Sequence, residues 1–208
     1  MTTPQAPEIN TTLTVEVTHV AHGGDGVGRV DGRVCFIPQG LPGDTVRARV
    51  TKTSKNALWA AIEGMITPSP NRVESPCHDF GACGACPWSH FDYPAQAEWK
   101  QRIVREALRR IAGVEVDLGW AEAPKLRLGY RTRAEFHGDG RALGFFKPGT
   151  HEIIDHGQCP VCHPKLNAAL ERLRAIGLKG TVMVTVNPDG EEVLVWTTFA
   201  NRPLKQSF

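Results

Sequence analysis

The chain has 208 residues, 41% of them apolar and 22% charged, with a formal net charge of +2. Length and composition fit a folded globular protein of one or two domains, and so small a net charge makes no case for nucleic acid by itself. No apolar run approaches the roughly 18 residues that cross a bilayer, so no membrane partner is expected.

Residues 10–70 read as an all-β module. TLTVEVTHVA alternates apolar and polar side chains as a half-buried strand does, VCFIP is a second strand, DTVRARVTKTS a third and ALWAAIEGMITPSP a fourth. Asp31-Gly32 is a hairpin signal, and strands this short and closely spaced suggest a small closed barrel of the OB kind. Gly24, Gly26 and Gly28 sit in GGDGVGR, but neither Lys-Ser/Thr nor a helical pattern comes after them. The phosphate-loop contexts therefore fail, and these glycines are read as turn residues.

Residues 71–92 form a cysteine-rich loop. The next segment, 93–208, opens with the clearest helix, YPAQAEWKQRIVREALRRIAG, where Trp99, Ile103, Ala107, Leu108 and Ile111 share a stripe that Gly113 ends. YRTRAEFH and RALGFFK are expected as paired strands, then a short strand HEIID, a helix HPKLNAALERLRAIG and a hairpin turning at Pro188-Asp189-Gly190. The fold class is mixed: an OB-like barrel, then an α+β domain. Acidic and basic residues balance over 1–76. Residues 98–147 tilt basic, through Lys100, Arg102, Arg105, Arg109, Arg110, Lys125, Arg127, Arg131, Arg133, Arg141 and Lys147. Within that stretch Arg131, Arg133 and Lys147 are the candidate phosphate contacts. Trp59, Trp88 and Trp99 are read as packing, with base stacking as the alternative.

The six cysteines carry the sharpest signal. Cys77, Cys83 and Cys86 have a C-x5-C-x2-C rhythm, Cys159 and Cys162 form a distant C-x2-C pair, and Cys35 stands alone in an apolar run as a buried thiol. MTTPQAPEINTT has neither the basic start nor the apolar core of a secretion signal. A cytoplasmic location is therefore expected, where clustered thiols point to metal rather than disulfides. Two quartets compete on spacing alone: the two C-x2-C pairs around zinc, or Cys77, Cys83, Cys86 and Cys159. His78, His90 and His163 are spare candidates that a four-cysteine set makes unnecessary.

The barrel segment resembles a TRAM domain, through HGGDGVGRVDGRVCFIPQGLPGDTVRARVTK and the exit PSPNRVESPC. The segment C-terminal to it resembles the RNA uracil-5-methyltransferases that carry an iron–sulfur cluster. The matching residues are Cys77, Cys83-Gly84-Ala85-Cys86, Tyr93, Gln96, Lys100, Tyr130-Arg131-x-Arg133, Gly144-Phe145-Phe146 and HEIIDHGQCP. The resemblance implies a [4Fe–4S] cluster on Cys77, Cys83, Cys86 and Cys159, and structured RNA, ribosomal or transfer, as partner, with no DNA. It also implies a C-terminal Rossmann-like domain that binds S-adenosylmethionine and holds a cysteine attacking C6 of the target uracil. No strand–Gly-rich–helix unit fit for that cofactor occurs before Phe208. The expectation is therefore that the Rossmann-like methyltransferase domain is absent from the chain and that it holds no catalytic residue. S-adenosylmethionine then enters only through the missing domain, and the chain is the RNA-binding, cluster-bearing part of a 5-methyluridine-forming enzyme, unable alone to transfer a methyl group. The alternatives are a stand-alone RNA-binding module with a structural metal, Fe–S or Zn, and a zinc-stabilised nucleic-acid protein. A radical S-adenosylmethionine enzyme would need C-x3-C-x2-C, which this chain lacks.

Overall fold

The computed structural model describes residues 6–119, 127–187, 189–190 and 192–197. Lys125 of the basic segment, Pro188 of the hairpin turn and the ending 198–208 lie outside the described residues. The chain divides into two compact units, one of residues 1–75 and 87–121, the other of residues 76–86 and 122–208.

The first unit is a closed barrel of β1 (Thr12–Val20), β2 (Gly26–Val30), β3 (Arg33–Ile37), β4 (Thr45–Thr53) and β5 (Ala57–Thr67), paired in the order β1-β2-β3-β5-β4. Alternation places Val15, Val17, Cys35, Ile37, Val46, Ala48, Leu58 and Ala60 in one buried core. Four strands are expected from the sequence and the barrel has five, because the glycine run conceals β2. Only Gly24 keeps the turn role, at φ 98°. Gly26 and Gly28 are strand residues whose missing side chains permit close approach. A Cβ on Gly26 would lie 2.7 Å from the Gly40 backbone, and one on Gly28 would lie 2.5 Å from the Glu16 carbonyl.

Buried Asp44 ties the barrel's exit to its β3–β4 connection. Its carboxylate accepts from the backbone N–H of Leu41 (2.6 Å) and of Ser69 (2.7 Å), and pairs with the Arg72 guanidinium. A charge with no solvent exposure is tolerable only when its lone pairs are met in this way.

Helix α1 (Tyr93–Ala112) starts with Pro94 in its first turn and ends on left-handed Gly113. On sequence this helix groups with the α+β segment, but the structure sets it in the barrel unit. There Ala95 and Trp99 bury against Val20, Leu41 and Phe91, and the Gln96 amide donates to the carbonyls of Trp88 and Phe91. The stripe fades along the helix, so that Ile111 is exposed.

The second unit is an antiparallel sheet of β6 (Arg133–Asp139), β7 (Leu143–Phe146), β8 (Ile153–Asp155), β9 (Lys179–Val186) and β10 (Val193–Thr197), ordered β10-β9-β6-β7-β8. Helix α2 (Pro164–Ala175) contributes Leu166, Ala169, Leu170 and Leu173 to a core shared with Phe136, Leu143, Val182 and Val184. The tight β6–β7 turn is closed by Asp139, whose carboxylate accepts from the N–H groups of Arg141 (2.7 Å) and Ala142 (2.8 Å).

Asp44→Ala strips three partners of their acceptor, one of them a cation, and is expected to destabilise the barrel unit by about 3 kcal/mol. Urea unfolding monitored by tryptophan fluorescence measures this. Lys55→Ala, a change in an exposed turn, serves as the control and should cost far less.

Candidate metal centre

The cysteine loop folds on itself before it meets anything else. The Phe80 N–H donates to the Cys77 carbonyl (3.1 Å), the Cys83 N–H to the Asp79 carbonyl (2.8 Å), and Gly81 turns at φ 86°. Two links then fix the loop to the sheet. The Gly84 N–H donates to the Phe146 carbonyl at the end of β7 (3.0 Å), where a Cβ on Gly84 would sit 3.1 Å from that same oxygen. Asp79 accepts from His156 Nδ1 at 2.6 Å.

His156 lies just beyond β8, is 1% exposed, and is held edge-on to Phe145. Since a carboxylate only accepts, Nδ1 carries the proton, while Nε2 is buried without a hydrogen-bond partner. Arg174 of α2 steadies the segment by donating to Asp155 (3.0 Å) and to the His156 carbonyl.

Cys159 is set from α2. The Asn167 side chain accepts from the Cys159 N–H (2.9 Å) and donates to the Cys159 carbonyl (3.1 Å), gripping that residue from both sides. Neither Asn167 nor His156 is legible as a site residue in the sequence, because each looks like an ordinary helix or loop polar group.

Electrostatics link the quartet. Burial raises the pKa of Cys77, of Cys83 to about 11, and of Cys86; nearby thiols raise each further, Cys159 and Cys77 acting on both Cys83 and Cys86. The Ala85 N–H lies 3.4 Å from the Cys83 sulfur and favours its thiolate. Cys159 moves the other way, chiefly because the Cys162 thiol donates to it, and Cys162 is raised in turn. Cys162 therefore reads as a buried partner of Cys159.

The fit to a metal group has two sides. Among the described residues no three Cys, His, Asp or Glu side chains are arranged to hold a metal ion. Zinc needs its ligands gathered about one point. An iron–sulfur cluster takes each thiolate on a different iron, so it asks for four thiols around a larger centre; Cys77, Cys83 and Cys86 are half-buried and Cys159 is buried.

The other candidates have separate roles. His78 is solvent-exposed beside Asp79, His163 caps α2 by accepting from the Lys165 N–H (3.2 Å), and His90 lies in the barrel unit with Nε2 3.0 Å from the Gln39 carbonyl. Arg131 precedes β6; its positive charge opposes the upward shift of the Cys86 pKa, and its guanidinium lies 5.6 Å from the Phe145 ring centre. Arg133 contacts the Met183 sulfur (3.3 Å), and Lys147 pairs with Glu152 (3.2 Å).

Residues 8–62 match the family model of the TRAM domain. The chain is 39% identical to an uncharacterised RNA methyltransferase of Gloeobacter violaceus, over 80% of its own length and 39% of that protein's. It is 34% identical to another from Halalkalibacterium halodurans, over 86% of its own length and 42% of the other's. Among solved structures it resembles the Pyrococcus abyssi tRNA (uracil-54, C5)-methyltransferase in complex with S-adenosyl-L-homocysteine. That match has a TM-score of 0.60 and 26% identity, and covers 87% of this chain and 44% of the other. The chain thus spans about two-fifths of the length of the relatives it matches.

These matches correct the expectation of a chain defined by a missing methyltransferase domain and limited to binding RNA. Four-fifths or more of it aligns with about two-fifths of proteins named as RNA methyltransferases. The absence of a cofactor-binding motif from a span of two-fifths of such a protein says nothing about that domain, and the inference of a chain unable to transfer methyl falls with it.

Asn167→Ala frees both sides of Cys159, and a stability loss of about 1–2 kcal/mol is expected for the second unit. Hydrogen exchange at the Cys159 amide should rise with it. Unchanged protection there would mean that α2 does not set the cysteine.

Proposed function

We propose that this protein is an S-adenosylmethionine-dependent RNA methyltransferase that methylates C5 of a uridine, and that it carries a [4Fe–4S] cluster on Cys77, Cys83, Cys86 and Cys159. The observation that carries the activity is the match of 87% of the chain to a tRNA uracil-C5 methyltransferase with the demethylated cofactor bound. Support for the cluster comes from the chain itself: four mutually interacting cysteines, a backbone N–H directed at one sulfur and a guanidinium charge acting on another.

The cofactor supplies an electrophilic methyl group, and C5 of uracil must be made nucleophilic before it accepts one. A base held in a folded RNA has to leave its stack first, which requires the enzyme to grip the surrounding strand. A barrel and an antiparallel sheet suit that gripping role. The cluster, with a cysteine on every iron, serves to hold the loop 77–86 on the sheet. The same reading puts the protein in the cytoplasm, where thiols stay reduced.

The activity is tested with protein expressed from its full gene, methyl-labelled S-adenosylmethionine and transcribed tRNA and rRNA. Digestion to nucleosides should place the label in 5-methyluridine; label confined to another base would overturn the reading. The cluster is tested separately. Anaerobically purified protein should contain iron and sulfide and absorb in the visible region. Cys159→Ser should lose that absorbance while Cys162→Ser keeps it, and the reverse result would move the fourth ligand to Cys162.

A further inference from the structure

One side of the barrel carries a row of side chains that its fold does not require. Across the strands His19 stands opposite Val27, Val27 opposite Phe36, Phe36 opposite Trp59, and Trp59 opposite Lys52. Their chain neighbours Cys35, Ile37, Leu58 and Ala60 point into the core, so Phe36 and Trp59 point out. The two rings stack at 5.6 Å with planes 24° apart, and Lys52 Nζ lies 4.8 Å from the Trp59 ring centre.

Lys52 reaches that place through a local defect. Val46, Ala48 and Val50 alternate inward along β4, and unbroken alternation would send Lys52 into the core after them. The pairing with β5 shifts register between Val50 and Lys52, which turns the lysine outward beside the tryptophan. A second shift, between Val17 and His19 on β1, lies at the opposite end of the row. There His19 meets Trp99 edge-on at 5.8 Å, and the Arg102 guanidinium, also paired with Glu98, lies 4.8 Å from the Trp99 ring centre. The five paired positions from Lys52 to His19 span about 19 Å of curved surface at the usual strand spacing, with Trp99 and Arg102 beyond the His19 end.

Resting on the reading of the protein as an RNA methyltransferase, we infer that this row is a stacking platform for unpaired RNA bases, with Trp59 and Phe36 as its centre and Lys52 as its phosphate contact. Stacked rings with a movable cation at the edge are the chemistry that holds single strands without reading their sequence. A base laid on Trp59 displaces the Lys52 ammonium from the ring face, and the ammonium is then free to meet the adjoining phosphate. A patch that only braced the barrel would need apolar area, and leucine could supply it.

The test uses the protein from its full gene and a labelled single-stranded oligouridylate of about 12 nucleotides, within the range that one OB-type barrel covers. Fluorescence anisotropy should show Trp59→Leu weakening binding roughly 5- to 100-fold, as expected for losing one stacked base, while Trp59→Phe retains most of the affinity. Lys52→Ala alters only an exposed side chain, and it should lower the slope of log affinity against log salt by about 0.7. Trp59→Leu binding as tightly as the natural protein, or Lys52→Ala with an unchanged slope, would overturn the platform. Failure of the natural protein to bind the strand would overturn it too. The 5-methyluridine assay on folded RNA reports on the parent reading independently.

Discussion

The second unit depends on a closure between segments far apart in the chain. Asp79 and His156 are 77 residues apart in sequence and meet inside one hydrogen bond, next to the point where Gly84 docks on Phe146. A loop of small residues such as 77–86 has too little apolar surface to order itself, and closing so long a stretch is entropically unfavourable. The buried histidine, the glycine that allows backbone-to-backbone approach and the Asn167 clamp on Cys159 together offset that cost. They bring the distant cysteine to the three that cluster in sequence. Without them the C-x5-C-x2-C rhythm would be three thiols on an unanchored loop.

A different constraint governs the barrel. Five short strands close around a core of mostly Val, Ala, Leu and Ile, which leaves no room where strands cross closely. Gly26 and Gly28 answer that crowding, and the buried Asp44 holds the ends together where hydrophobic burial alone would not fix them. The register shifts at Val17/His19 and Val50/Lys52 have a purpose in the same economy of space. A small barrel has few outward positions in line with one another, and a bulge supplies one more.

Much of this was legible in the sequence where one rule acted alone. Alternation marked β1, runs of strand-forming residues marked β4 and β6, the Pro94 and Gly113 signals marked α1, and Asp31-Gly32 marked its hairpin. The misses came where two rules competed. Glycine spells a turn in isolation but close packing inside a barrel, so β2 was hidden. The stripe on α1 said that the helix was buried on one side but not against which unit, since the choice lies with Val20, Leu41 and Phe91. The cysteines were legible as a set, yet Asp79, His156 and Asn167 were not, because a polar residue shows its partner only when the chain has folded.

Arg131 shows how the site's electrostatics restrict what else the unit can do. Cys77, Cys83 and Cys86 resist losing their protons, because burial and the neighbouring thiols push all three in the same direction. A cation nearby relieves part of that cost, and Arg131, over the Phe145 ring, acts so on Cys86. A guanidinium beside a thiol has part of its charge engaged there, so for a basic residue next to a cysteine motif the neighbouring sulfur has to be weighed along with the charge. The lysine on the barrel is the opposite case: Lys52 is exposed, rests against the ring of Trp59, and can exchange that ring for a phosphate at little cost. Which cations are available to a phosphate is decided by their existing partners, and those partners were set by the folding of each unit.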